Sequence, residues 1–337
     1  MNGLRVVGAL PLLCLVAACA ESSTFVPSAT SSVRPTLDDD DLWSMVPVEA
    51  DLVVWADMAK LRDSPWTRDS LANVASPSAN ESDPGFDRLR DVDRLIFAKI
   101  PALRDGADIL IAQGRFVRER VSGAFAQRGM AVEKSRYRGA DFFVRGEDAL
   151  AFLGQRTVLS GMAVAVRAAL DCNFGLARAI DSESWLQHLR AALASAKGSA
   201  SPVASLYVRL QPATREELMR ETGEGGTMEE FAGRLDLDSD LDVTTVAALR
   251  TEMQARDLAA RLAERIREAR VRPIVAAFGF SRVIDSVRFL ARETYVEGTL
   301  HVSHQDRDEI SHRMSVVAET IAKLRADKAS AQEKKSP

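Results

Sequence analysis

Four aspartates, Asp236, Asp238, Asp240 and Asp242, alternate with Leu235, Leu237, Ser239, Leu241 and Val243. Carboxylates at this spacing invite a calcium-loop reading. An EF-hand loop starting at Asp236 would need glycine where Leu241 stands and a bidentate glutamate where Ala247 stands. The motif fails at both positions. Strict alternation points instead to one half-buried strand, Arg234 to Ala247, with an acidic face whose successive carboxylates lie about 6.6 Å apart, too far for one ion to collect all four. That face is a candidate surface for a partner or a cation, against the alternative of a solvated face paired across the sheet with Arg288 and Arg292.

The remaining chemistry-bearing residues assemble into no recognisable set. His301 and His304 would share a metal only if the strand carrying them ended between them. His304, Asp308 and His312 fall on one helical face, yet the outer pair is separated by about 12 Å of helix. Gly279 to Val283 lacks the second glycine of a nucleophile elbow, and Gly223 to Thr227 lacks the lysine of a phosphate loop. The sequence therefore nominates no catalytic residue, no metal ligand set and no cofactor. Cys172, just after an apolar helix, reads as a small buried hydrophobe.

The elements that would position these residues follow from periodicity and punctuation. A strand at Leu52–Trp55, a helix opening at Ser64-Pro65, strands at 94–99 and 108–113, and a helix through Val117, Val121 and Phe125 come first. A meander from Val132 to Ser160 and a helix from Gly161 to Leu170, capped by Ser160, complete the first round. The second round opens with the capping-box spacing Ser184 to Gln187 and runs through a strand at 203–210, a helix at 214–221 and the Asp-rich strand. A charged helix from Glu252 to Arg270, a hairpin over 283–303, and a last helix capped by Ser303 finish it. That helix carries Ile310, Met314, Val317, Ile321 and Leu324 as an amphipathic stripe. The expected fold class is α+β: two related strand-helix-strand-helix-hairpin-helix units over 43–198 and 199–326, with largely antiparallel sheets and helices on one face of each.

The N-terminus supplies the address. Arg5 precedes an apolar run from Val6 to Val16, too short to span a bilayer, and Leu15-Val16-Ala17-Ala18-Cys19 follows as a lipobox. This stretch resembles the signals of bacterial lipoproteins, and the resemblance implies that residues 1–18 are removed and that the Cys19 thiol is lipidated. Ala20 after the cysteine resembles outer-membrane sorting. Residues 19–42 are Ser/Thr/Pro-rich and carry an acidic run at Asp38 to Asp41, the composition of a disordered tether that would span roughly 25 Å as a flexible coil. Residues 327–337 read as a disordered tail.

With Cys14 in the signal and Cys19 lipidated, Cys172 is the one thiol left, so no intramolecular disulfide is expected. A net charge of −4 with both signs interspersed gives no basic face for nucleic acid. The mature chain also resembles a group of uncharacterised Gram-negative exported lipoproteins. The shared features are the Val46-Pro47 opening, the hairpin Tyr137-Arg138-Gly139 and the helix end Ala169-Leu170-Asp171; they imply fold and compartment and assign no catalytic residue. The sequence thus leads to an envelope protein held on a membrane through Cys19, with a noncatalytic binding or scaffolding role and an envelope protein as partner. A carrier of lipid or another apolar ligand and a hydrolase with a dispersed site are the alternatives.

Overall fold

A computed structural model describes residues 42–67, 86–87, 90–103, 106–126, 131–196, 202–222, 228–273, 275, 279–310 and 312–313. The signal, Cys19, the tether, the glycine-rich loop at 223–226 and the stripe beyond residue 313 lie outside them. The strands are β1 (Leu52–Asp57), β2 (Val92–Ile100), β3 (Ala107–Gly114), β4 (Glu133–Tyr137), β5 (Ala140–Arg145) and β6 (Asp148–Leu153), followed by β7 (Thr157–Met162), β8 (Ala204–Arg209), β9 (Met228–Leu237), β10 (Leu241–Leu249), β11 (Arg288–Arg292) and β12 (Tyr295–Val302). The helices are α1 (Met58–Asp63), α2 (Arg118–Ala126), α3 (Ala163–Asn173), α4 (Ser184–Ser195), α5 (Pro212–Thr222), α6 (Glu252–Arg270) and α7 (Ser281–Ser286).

The mixed α+β class is as expected, but the strands form one sheet rather than two. Its order is β11-β12-β10-β9-β8-β1-β2-β3-β7-β6-β5-β4, and the described pairings between strands are antiparallel. The join is the β1–β8 pair, with Leu52 opposite Val208 and Ala56 opposite Ala204. Asp51, 6% exposed, reinforces it by accepting from Arg209 Nε at 2.7 Å and from the Gln211 amide. On one side of this join the order is β1-β2-β3-β7-β6-β5-β4, and on the other it is β8-β9-β10-β12-β11.

Helices lie on both faces, which corrects the one-face expectation. In β6, Ala149 and Ala151 belong to the main core with Val166, Leu170, Leu186 and Leu189 of α3 and α4, whereas Leu150 and Phe152 pack with Val121 and Phe125 of α2. Neighbouring residues of a strand point to opposite faces, so α2 covers the face opposite α3 and α4. In the second half Val246 joins the main core while Ala247 packs against Leu258 and Ala259 of α6. A strand buried on both sides needs apolar residues at consecutive positions, and the Ala149–Phe152 run has them.

Three local expectations also change. α7 runs to Ser286 through the start of the expected hairpin, so β11 begins only at Arg288. Ser160 lies buried within β7 and α3 starts after Met162 without a side-chain cap. Gln187 donates to Asp181 O in place of a capping box. Ser303 does cap: its hydroxyl accepts from Asp306 N at 3.1 Å, and Ser303 N donates back to the Asp306 carboxylate at 3.3 Å.

Candidate functional site

The Asp-rich stretch folds as a hairpin. β9 ends at Leu237, Asp238 to Asp240 make the turn, and β10 starts at Leu241, with Leu237 opposite Leu241 and Asp236 opposite Asp242. As cross-strand partners Asp236 and Asp242 point to the same face of the sheet, while Asp238 and Asp240 lie in the turn, so exposure rather than facing separates the four acids. Asp236 is 4% exposed and lies 3.3 Å from Arg234 Nε. The same guanidinium donates to Leu193 O at 3.0 Å and Ala196 O at 3.5 Å, at the C-terminal end of α4 where a helix runs short of its own donors. Asp236 is thus part of the packing, and the surface expected from four aspartates reduces to Asp238, Asp240 and Asp242.

The partners of Asp240 and Asp242 are histidines, not the expected arginines. His301 stands opposite Asp242 in the β10–β12 register, with Nδ1 at 2.8 Å from the carboxylate. His304 donates its backbone N–H to Asp240 at 2.9 Å and holds Nδ1 at 3.4 Å from the same oxygen. That backbone donation is the main reason the Asp240 carboxyl sits below the usual carboxylate range. Arg288 instead donates to Asp285 O and Val287 O, and Arg292 pairs with Glu297 at 2.9 Å. His301 and His304 reach neighbouring acids because β12 ends at Val302 and the chain turns into the next helix. Trp66 braces the turn by donating from Nε1 to Ser239 O at 3.3 Å, and the Arg307 guanidinium covers the Trp66 ring. Among the described residues no group of three or more His, Cys, Asp or Glu is placed to hold a metal ion.

Two clefts stand out among the described residues. One, of about 290 Å³, lies at the ends of β1, β2 and β3 and is lined by Asp57, Lys60, Asp93, Arg94, Gln113 and Arg156, among others. Its acids are engaged: Asp57 caps α1 through Lys60 N at 2.9 Å, and Asp93 lies between Arg156 at 3.0 Å and Arg62 at 3.4 Å. The other, of about 320 Å³, is the open face of β10, β12 and β11, where Asp242, Arg288, Leu290, Glu297, Thr299 and His301 meet solvent. Charged side chains dominate the first lining, and the second mixes charged and hydroxyl side chains with Val243, Leu290 and Leu300.

The motifs Tyr137-Arg138-Gly139 and Ala169-Leu170-Asp171 meet in space. Tyr137 OH donates to Asp171 at 3.0 Å and Arg138 Nε donates to it at 2.8 Å, so the β4–β5 turn is tied to the end of α3. Next to this tie, Cys172 is buried and its thiol donates to Arg178 O at 3.3 Å. Burial, with Glu49, Asp171 and Asp181 nearby, pushes its pKa up to about 11. Native protein at pH 8 is therefore expected to alkylate with iodoacetamide at least about tenfold more slowly than urea-unfolded protein, read by intact mass. Equal rates would place the thiol at the surface. Because the native thiol keeps its proton longer than the unfolded one, stability should be unaffected below the ordinary thiol pKa. It should then fall as pH rises from there towards 11.

No family model matches the chain, and no curated protein matches it. Among solved structures it is similar to TP0453 in three crystal forms. Form I superposes with a TM-score of 0.46 at 10% identity, covering 84% of this chain and 98% of that one. Form III gives 0.48 at 11% over 82% and 98%, and form IV gives 0.46 at 8% over 81% and 95%. At these TM-scores the likeness carries no argument about fold or function.

Proposed function

We propose that this protein is a lipid-anchored component of a bacterial cell envelope, held on the outer membrane through Cys19, with a noncatalytic binding or scaffolding role. The observation that carries the reading is Leu15-Val16-Ala17-Ala18-Cys19 behind a short apolar run. A single acyl chain binds a bilayer only marginally, whereas several chains on one cysteine hold it stably. No helix among the described residues is long and apolar enough to cross a membrane. For the envelope partner, the surface on offer is the hairpin end with Asp238, Asp240, Asp242, His301 and His304.

Membrane fractionation after metabolic labelling with radioactive palmitate tests the anchor. Wild type is expected in the membrane pellet with label, and Cys19→Ala in the soluble fraction without it. Retention of the variant in the pellet at the wild-type level would sink the reading.

The same proposal includes an internal duplication, with units spanning 43–198 and 199–326. It is supported by the likeness of β1-β2-β3-β7-β6 to β8-β9-β10-β12-β11 on the two sides of the β1–β8 join, the first side carrying β5 and β4 in addition. It is supported as well by α2 after β3 and α6 after β10, each on the face away from α3 and α4.

A further inference from the structure

We infer that β11 takes an extended acidic segment of a partner protein as a further strand of the sheet, with an acid side chain set against Arg288 and an apolar one against Leu290. The inference rests on the noncatalytic binding role and not on the anchor. β11 is one end of the sheet, and among the described residues no strand pairs with its outer side. The N–H and C=O groups along an unpaired strand edge are the donors and acceptors through which another strand binds.

The two ends of the sheet differ in what they present. β4, at the other end, exposes Glu133, Lys134, Ser135 and Arg136, charges of both signs with no exposed apolar side chain, a composition that keeps edges apart. In β11, Phe289 and Ala291 pack with Val296 against α6, so Arg288, Leu290 and Arg292 point to the opposite face, over the cleft shared with β10 and β12. Among the described residues Leu290, 52% exposed, is the most exposed large apolar side chain on any strand. The more exposed Val117, Leu176, Met253 and Val271 lie on helices or in the loops beside them.

The charges over this cleft set the chemistry of the incoming segment. Asp242 is held by His301 at 2.8 Å and Glu297 by Arg292 at 2.9 Å. Arg288 instead donates to the backbone oxygens of Asp285 and Val287, and among the described residues no carboxylate pairs with it. The cation left over thus stands on the edge strand itself, where an acid directly opposite is favourable and a base is not. Because alternate residues of a strand face the same side, an acid at Arg288 brings the residue two positions along over Leu290. The backbone ladder supplies the hold and these side chains the choice of segment. The same charges disfavour a second copy, since two β11 strands paired antiparallel about Leu290 would set Arg288 of each against Arg292 of the other.

The test uses the natively matured full-length protein in detergent and the peptide acetyl-Thr-Thr-Glu-Thr-Val-Thr-Glu-Thr-Thr-amide, whose symmetry suits either strand direction. One control carries lysine in place of both glutamates; another keeps the side chains but has N-methyl groups along its backbone. With the glutamate peptide at about ten times its dissociation constant, measured by anisotropy of a fluorescein-labelled copy, exchange of the outward amides of residues 288–292 is expected to slow about tenfold, because only free protein exchanges. Arg288→Glu should weaken binding about tenfold, with a urea midpoint near that of the wild type. The N-methylated peptide should not bind. Equal binding of the N-methylated peptide, or of the lysine peptide, overturns the strand addition. So does protection of residues 288–292 that grows with protein concentration in the absence of peptide, which would assign the edge to a second copy. If the lysine peptide alone binds and protects residues 238–242, the binding role stands at the hairpin and β11 is overturned. No change in exchange with either peptide counts against both.

Discussion

Replacing Gly161 with alanine is expected to destabilise the fold by about 3 kcal/mol or more, because the added carbon meets backbone that has nowhere to go. Gly161 sits in β7 opposite Ile109 of β3 and Ala149 of β6, in the part of the sheet where those neighbours are fully buried. Its φ is +150°, and a Cβ built there would stand 2.3 Å from Asp108 O and 3.0 Å from Ile109 Cα. No side chain can rotate away to relieve this, so β3 and β7 would have to part over the main core. Gly154 is the matched control. It also has a positive φ, +63°, but nothing lies within 4 Å of its Cβ position. Gly154→Ala should cost only about 1 kcal/mol, the local conformational penalty. Urea titrations followed by far-ultraviolet circular dichroism measure both. Midpoints lowered equally in the two variants would show that the close approach of β3 and β7 is not what Gly161 serves.

The hairpin at Asp238–Asp240 shows why part of this site was hidden in the sequence. A three-residue turn between Leu237 and Leu241 preserves the period-2 phase, so leucines and aspartates keep alternating straight through it. Periodicity alone therefore reads one long strand, and only the short Asp-Ser-Asp run hints at a turn. The same error placed Asp236 with the exposed acids, although its burial depends on α4, about forty residues earlier in the chain. The histidine partners were equally out of reach, since His301 meets Asp242 across a sequence separation of 59 residues.

Where the signal was local the reading was sound. The charged helix Glu252–Arg270 appears with those bounds, its Leu258 and Ala259 buried on one stripe. Strands covered on both faces were harder, because Ala149 to Phe152 reads equally as a strand or as a piece of buried helix. The Asp51–Arg209 contact that joins the two halves spans 158 residues, a separation over which pattern says nothing.

Substituting Arg234 with leucine should cost about 3–5 kcal/mol, the penalty for removing one member of a buried ion pair. The guanidinium is 6% exposed and serves two ends at once. It faces the Asp236 carboxylate at 3.3 Å and donates to the carbonyls of Leu193 and Ala196, where the negative end of the α4 dipole collects. Leucine would leave the carboxylate facing an apolar side chain and both carbonyls without this donor, in a place water does not reach. If the carboxylate dominates, Arg234→Leu/Asp236→Leu should recover much of the loss, because two apolar side chains replace a pair whose desolvation nearly cancels its attraction. If the α4 carbonyls dominate, the double variant should be no better than Arg234→Leu, and Arg234→Lys should recover only part, since one ammonium cannot fork to two carbonyls and a carboxylate as a guanidinium does. A double-mutant cycle from urea midpoints gives the coupling directly. The geometry favours the carboxylate, as Asp236 is the more buried charge, so a coupling of about 2 kcal/mol is expected. A coupling near zero would mean that Arg234 is held in β9 chiefly to close the end of α4.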